Sequence, residues 1–247
     1  MATDTELAIR IAGEAGALLL ALRNSGEFEG KALGAEGDAR ANTLILDTLR
    51  RERPDDAILS EEQKDDAERL KASRVWIVDP LDGTREYGEG RTDWAVHIAL
   101  AIDGRAEIGA VALPGLELTL DSGAPPPLSP AATPLRMLVS RTRPAAEAVA
   151  VAEKLGAELV PMGSAGAKAM AVVRGQAEIY LHTGGQYEWD SCAPIAVAQA
   201  AGLHVSRIDG SSMEYNQADV YLPDLLICHR DKADQILELI REISVTA

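Results

Sequence analysis

This sequence is short of positive charge, of cysteine and of long apolar runs. Acidic side chains outnumber Lys and Arg 39 to 24, leaving a formal net charge of −15. Nucleic acid polymers and anionic membranes would be repelled by such a surface. The only cysteines are Cys192 and Cys228. They form no CxxC pair, and no row of His and Cys has zinc-ligand spacing, which argues against a disulfide framework or a thiolate metal site. No apolar stretch approaches transmembrane length, and the start MATDTELAIR lacks the basic opening, apolar run and cleavage site of a signal peptide. These absences predict a cytoplasmic protein with neither membrane nor nucleic acid partners. Small anions are not excluded, because metals held by clustered carboxylates supply local positive charge whatever the net charge.

With 247 residues, 47% of them hydrophobic, the chain can bury a core as one large domain or two intimately packed halves. A capping-box pattern from Thr3 to Glu6 precedes Leu7, Ile11, Ala15, Leu18 and Leu22 at helical spacing. A second helix is predicted from Asp38 to about Arg51, then short strands at 57–60 and 75–78, each ending in carboxylates. From Trp94 to Leu120 the pattern is an antiparallel meander with turns at Asp103-Gly104 and Pro114-Gly115. The Pro-rich stretch 122–134 reads as a linker between a half at 1–121 and a half at 135–247. Beyond it, strands near 137–140, 159, 179–181, 205 and 225–228 alternate with helices at 144–155, 164–174, 190–201 and 232–243, a layered α/β pattern.

The segment WIVDPLDGT places Asp79 at a strand end, Pro80 to stop the strand, Asp82 three positions on, and Gly83-Thr84 at a turn. Were Gly83 and Thr84 to open a short helix, their amides would form a phosphate cradle at the point where both carboxylates emerge. Ser60-Glu61-Glu62 ends another strand and Trp189-Asp190 begins a helix, so more carboxylates can converge there. Singly, each has an ordinary structural explanation: turn former, N-cap, or solvated charge leading into the polar run after Glu62. Together they make an oxygen-only ligand set suited to magnesium or manganese. His97, in an alternating strand with no Cys or second His nearby, reads as structural, and His182 carries no assignment.

Glu61 in SEE, the DPLDGT stretch and the Trp189-Asp190 pair resemble the signature motifs of the inositol monophosphatase superfamily in order and separation. The resemblance implies an α-β-α-β-α sandwich of mixed α/β (α+β) class, with Mg2+ (or Mn2+) as cofactor. It implies two or three ions held by Glu61, Asp79, Asp82, Asp190 and the Leu81 carbonyl, with Asp38 at an outer ion. Glu61 and Thr84 would handle the attacking water, and Asp82, Gly83, Thr84 and Asp190 would meet the phosphate ester. Li+ and Ca2+ would inhibit, and homodimers are common in such relatives. Where many relatives carry Pro-Val-Thr before the Asp38 helix, this chain has Gly34-Ala35-Glu36-Gly37, so a threonine near the outer ion is missing.

The segments VSRTRP and GSAGAKAM resemble the nucleotide-contacting segments of CysQ-type bisphosphate nucleotidases, which implies that Ser140, Arg143, Ser164 and Lys168 touch a nucleotide. Many relatives have His at the position of Arg143. The activity so implied is removal of the 3'-phosphate of 3'-phosphoadenosine 5'-phosphate, a by-product of sulfate assimilation. The alternatives are an inositol-1-phosphate or fructose-1,6-bisphosphate phosphatase, whose metal chemistry is shared, and a non-catalytic metal- or phosphate-binding protein, against which the presence of both Glu61 and Thr84 argues.

Overall fold

The computed structural model describes residues 2–246. Helix α1 (Asp4–Ser25) opens on a capping box: the Thr3 hydroxyl accepts from Glu6 N at 3.2 Å while the Glu6 carboxylate accepts from Thr3 N at 2.8 Å. Helix α2 (Gly30–Glu52) begins well before Asp38, where the sequence placed its start, so 34–37 lies inside the helix. Packing explains the difference. A Cβ at Gly34 would sit 2.6 Å from Thr84 Cγ2, so glycine lets α2 press against the turn that carries Thr84. A mid-helix glycine ordinarily costs about 1 kcal/mol relative to alanine.

The first half continues as β1 (Ala57–Ser60), a 3-10 turn (Ala67–Lys71), β2 (Arg74–Asp82), α3 (Thr84–Gly88), β3 (Ala95–Ile102), β4 (Arg105–Leu113) and β5 (Leu118–Asp121). These five strands form one sheet in sequence order, with β1 parallel to β2 and the rest antiparallel. Pro80 does not end β2 as the sequence suggested. The strand runs on to Asp82, but its register against β3 shifts between Asp79 and Asp82, so the missing proline N–H falls at an irregularity where the ladder is already broken.

Residues 122–134 carry neither helix nor strand. Then follow β6 (Arg136–Ser140), α4 (Ala146–Leu155), β7 (Glu158–Met162), α5 (Ala165–Val173), β8 (Ile179–His182), β9 (Gln186–Tyr187), α6 (Glu188–Ala200), β10 (His204–Ser206), β11 (Tyr221–Leu222), β12 (Leu225–Cys228) and α7 (Arg230–Thr246). A second five-stranded sheet has the order β10-β12-β8-β6-β7, and β9 pairs with β11 in a separate ribbon. The ribbon was not anticipated, because two-residue strands are too short for alternation to show.

Alternation along β2 explains the layering. Trp76 and Val78 face α1 and α2, whereas Val75 and Ile77 face a core shared with α5, α6 and the second sheet. Helices α4 and α7 cover that sheet's outer face through Val151, Ile236 and Ile240. The order is α1/α2, first sheet, α5/α6, second sheet, α4/α7, an α-β-α-β-α sandwich. No described helix is long and apolar enough to cross a membrane.

Candidate metal and phosphate site

Parallel pairing of β1 with β2 sets Ser60 opposite Val78, so Glu61 and Asp79, the next residue on each strand, emerge side by side. Asp79 Oδ1 accepts from Leu81 N at 3.0 Å. Asp190 arrives from the first turn of α6, where its Oδ2 accepts from Tyr187 N at 2.6 Å. Within α6, Pro194 has no N–H to give the Asp190 carbonyl. The carboxylates fall into two groups, Asp79 with Asp82 and Asp190, and Asp38 with Glu61 and Glu62, and in each the facing oxygens lie within 4.8 Å of one another. Glu62, which the sequence leaves open between a converging carboxylate and solvated charge, joins the second group. Its place directly after Glu61 at the end of β1 was the available signal.

Asp82 joins the two halves of the molecule. It accepts from Ser164 Oγ at 2.5 Å and from the amides of Gly166 at 2.6 Å and Ala165 at 3.1 Å, at the N-terminus of α5. His97 is fully buried behind it, with Nε2 3.3 Å from Asp82 Oδ2 and Nδ1 3.0 Å from the Trp189 carbonyl. A carbonyl only accepts, so Nδ1 carries the proton, and a bond from Nε2 to Asp82 requires the imidazolium. His97 thus spans from β3 to the start of α6 and touches a site carboxylate. The sequence reading missed this because the Asp79–His97 register pair exists only once β2 and β3 are aligned.

Charge crowding dominates the electrostatics. Asp38 is pushed up to about 8 by burial first, then by Glu61 and Glu62. Protein crowding raises Glu61 to about 7 although its residue surface stays exposed, and Asp190 adds to the rise. Asp190 is raised to about 6 by burial and then by Asp82, and Asp79 stands well above the usual carboxylate range through burial and Glu61. Burial alone would raise Asp82 too, but His97, Ser164 and the Gly166 amide hold it down to about 2. Burial opposes a charge on His97, yet Asp82 outweighs it and raises its pKa.

A divalent cation fits this set. The donors are all oxygens, their mutual repulsion is what a cation relieves, and Asp38 Oδ1 is buried with no hydrogen-bond partner. Thr84 Oγ1 lies 3.1 Å from both Asp38 Oδ2 and the Leu81 carbonyl. Gly83 turns the chain with φ 87° into α3, whose first amides have no partner within the helix. A cleft of about 600 Å³ opens here, lined by Lys31, Asp38, Glu62, Thr84 and Arg85. A larger one of about 870 Å³, between the β3–β4 turn and the far end of α6, contains none of the clustered carboxylates and has no part in this site.

Of the second-half residues, Ser164 sits on Asp82 as described. Ser140 Oγ accepts from Arg143 N at 3.3 Å, and the Arg143 residue is exposed. Lys168 is not at the surface: its Nζ donates to the carbonyls of Ser164 at 2.5 Å and Gly163 at 3.2 Å and packs on Tyr180, and burial lowers its pKa. Arg141 ties α3 to the second half, with Nε 2.7 Å from Glu86 Oε1 and Nη2 2.6 Å from Glu89 Oε2.

Paired acidic groups suited to divalent cations, set beside a helix N-terminus in a layered sandwich, define a metal-dependent phosphatase. The chain belongs to the inositol monophosphatase family, whose sequence profile matches residues 1–244. It is 52% identical to the 3'-phosphoadenosine 5'-phosphate phosphatase of Mycobacterium leprae, over 98% of this chain and 94% of that protein. It is 32% identical to the Escherichia coli 3'(2'),5'-bisphosphate nucleotidase CysQ, over 75% of this chain and 80% of that protein. The crystal structure of CysQ from Bacteroides thetaiotaomicron superposes with a TM-score of 0.80 at 24% identity, covering 92% of this chain and 97% of that one.

Proposed function

We propose that this phosphatase removes the 3'-phosphate of 3'-phosphoadenosine 5'-phosphate, giving AMP and inorganic phosphate, with Mg2+ as the working ion. The observation that carries the reading is the junction at Asp82, where the 163–168 segment, similar to nucleotide-contacting segments, is bonded directly to a clustered carboxylate. The name of the Mycobacterium leprae relative supports the same substrate, and that of the Escherichia coli relative supports a bisphosphate nucleotide as its class. Clearing this nucleotide would place the chain in sulfate assimilation, in the cytoplasm.

Asp38, Glu61, Asp79, Asp82, Asp190 and the Leu81 carbonyl would hold two or three ions. Bound Mg2+ supplies Lewis-acid chemistry, making a water acidic and shielding charge on the phosphoryl and leaving oxygens. Glu61 takes the water's proton, and Thr84 orients that water while its own hydroxyl proton is held by Asp38 or Leu81. The water oxygen bonds to phosphorus as the bond to O3' breaks, and the ribose oxygen collects a proton from solvent. Amides at the start of α3 hold the phosphoryl oxygens. Ser140, Arg143 and Ser164 receive the rest of the nucleotide, and Lys168 supports the Ser164 turn from below.

Phosphate release with Mg2+ from 3'-phosphoadenosine 5'-phosphate, inositol 1-phosphate and fructose 1,6-bisphosphate tests this, with Asp82→Asn as control and Li+ and Ca2+ as expected inhibitors. A kcat/KM preference for the nucleotide supports the proposal. Preference for either sugar phosphate overturns the substrate and keeps the chemistry.

A further inference from the structure

The chain has three Trp, five Tyr and one Phe, and its large aromatic rings are mostly core: Trp76, Trp94, Tyr87, Tyr180 and Tyr215 are fully buried. Tyr187 and Tyr221 are instead 47% and 48% exposed. They face each other directly across the β9–β11 ribbon, with ring centroids 6.0 Å apart, edge to face. Trp189 stacks on Tyr187 at 5.0 Å and 15°.

Such short strands do not hold themselves, and this ribbon is fastened from below. The buried Glu188 carboxylate accepts from Asn216 N and Gln217 N, both at 2.7 Å, and Glu188 N donates to the Val220 carbonyl at 2.9 Å. The buried Arg69 guanidinium reaches Asn216 Oδ1 at 2.8 Å and the Gln217 carbonyl at 2.9 Å. Gly185, with φ 78°, leaves room for the Tyr221 ring, because a Cβ there would overlap its hydroxyl. The rings therefore stay exposed on a fixed scaffold, where a core role would have buried them.

The scaffold abuts the reaction centre. Tyr187 N is bonded to Asp190 Oδ2, and the Trp189 carbonyl to His97, which touches Asp82. We infer that this aromatic corner, in which Tyr187 and Tyr221 stand nearly perpendicular and Trp189 lies parallel to Tyr187, stacks the purine base on one tyrosine ring and flanks it with the other, while the nucleotide's phosphate is held at the cation site formed by the carboxylates. The inference rests on the nucleotide reading above and assigns the base a site of its own. Aromatic stacking accepts any base by its π face, so the corner selects nucleotides over non-aromatic phosphate esters as a class.

Tyr187→Leu and Tyr221→Leu, each compared with its Phe variant, test this in the Mg2+-loaded enzyme. The expected result is a rise of about tenfold in KM for 3'-phosphoadenosine 5'-phosphate with kcat little changed, restored by Phe, and a much smaller change with inositol 1-phosphate. Equal losses on both substrates, or an unchanged nucleotide KM, overturn it. So does a shift in oligomeric state by light scattering with KM intact, which would make the patch a contact between copies. Equilibrium dialysis of AMP separates the two readings. AMP binding weakened by the Leu variants in a protein that does not hydrolyse the nucleotide would keep the aromatic corner and sink the substrate proposal, whereas nucleotide preference unaffected by both Leu variants would do the reverse.

Discussion

The floor and the rim of the cleft are built on opposite terms. The floor, where β1 and β2 end, packs like charges together: Asp38 and Asp79 are buried, and each is raised by burial first and then by its acidic neighbours. The rim proposed for the second half would be formed by Arg143, Tyr187 and Tyr221, which are exposed. Even within the floor, Asp79 and Asp82 leave one strand and diverge, one raised by burial and Glu61, the other held at about 2 by His97 and the start of α5. Buried charge clusters tolerate little change because each group sets its neighbours' protonation. Exposed recognition groups act almost singly and tolerate more.

If the floor is interdependent, Asp82→Asn has the largest effect, since one oxygen bonds Ser164 and Gly166 while facing His97. A fall in kcat of about 10³-fold or more is expected in a phosphate-release assay, and activity within tenfold of wild type would show that the floor's parts are separable. Glu61→Gln should follow, with kcat down about 10²- to 10⁴-fold and KM nearly unchanged. A KM effect instead would place Glu61 in substrate binding.

The same crowding predicts how stability depends on pH. Asp38, Glu61 and Asp190 bind protons more tightly folded, at about 8, 7 and 6, than their ordinary values of 3.8, 4.5 and 3.8. Their contribution is therefore present in full below about pH 4 and is lost as pH rises through 6 to 8. With EDTA, Tm should fall between pH 5 and 8, and Mg2+ should recover most at the upper end. A metal-free Tm that climbs across that window would contradict the charge assignment. The smallest effect belongs to the rim: Arg143→Ala should raise KM for the nucleotide about five- to tenfold and spare kcat. A comparable loss in kcat would mean that rim and floor are coupled after all.

Much of this was legible in the residues. The Thr3 capping box, the meander turns at Asp103-Gly104 and Pro114-Gly115, the α/β alternation of the second half and DPLDGT are local patterns, and the structure carries the corresponding elements. What was not legible depended on partners distant in sequence. Helix α2 already includes Gly34, where it meets Thr84, Lys168 is buried with its Nζ on the Ser164 carbonyl, and His97 meets Asp82 because β3 lies alongside β2.

By itself, then, the sequence determined the periodicities that make the helices and strands, and the oxygen-only chemistry carried at their ends. Those are properties of residue type and short spacing, set by side-chain direction and backbone propensity. Only the tertiary structure decided which carboxylates share a site, which are raised and which lowered, and which rings stay exposed. Burial and Coulomb interaction depend on distance in space, and the distances that matter here are those of Asp82 from Ser164, Asp190 from Tyr187, and Asp38 from Thr84.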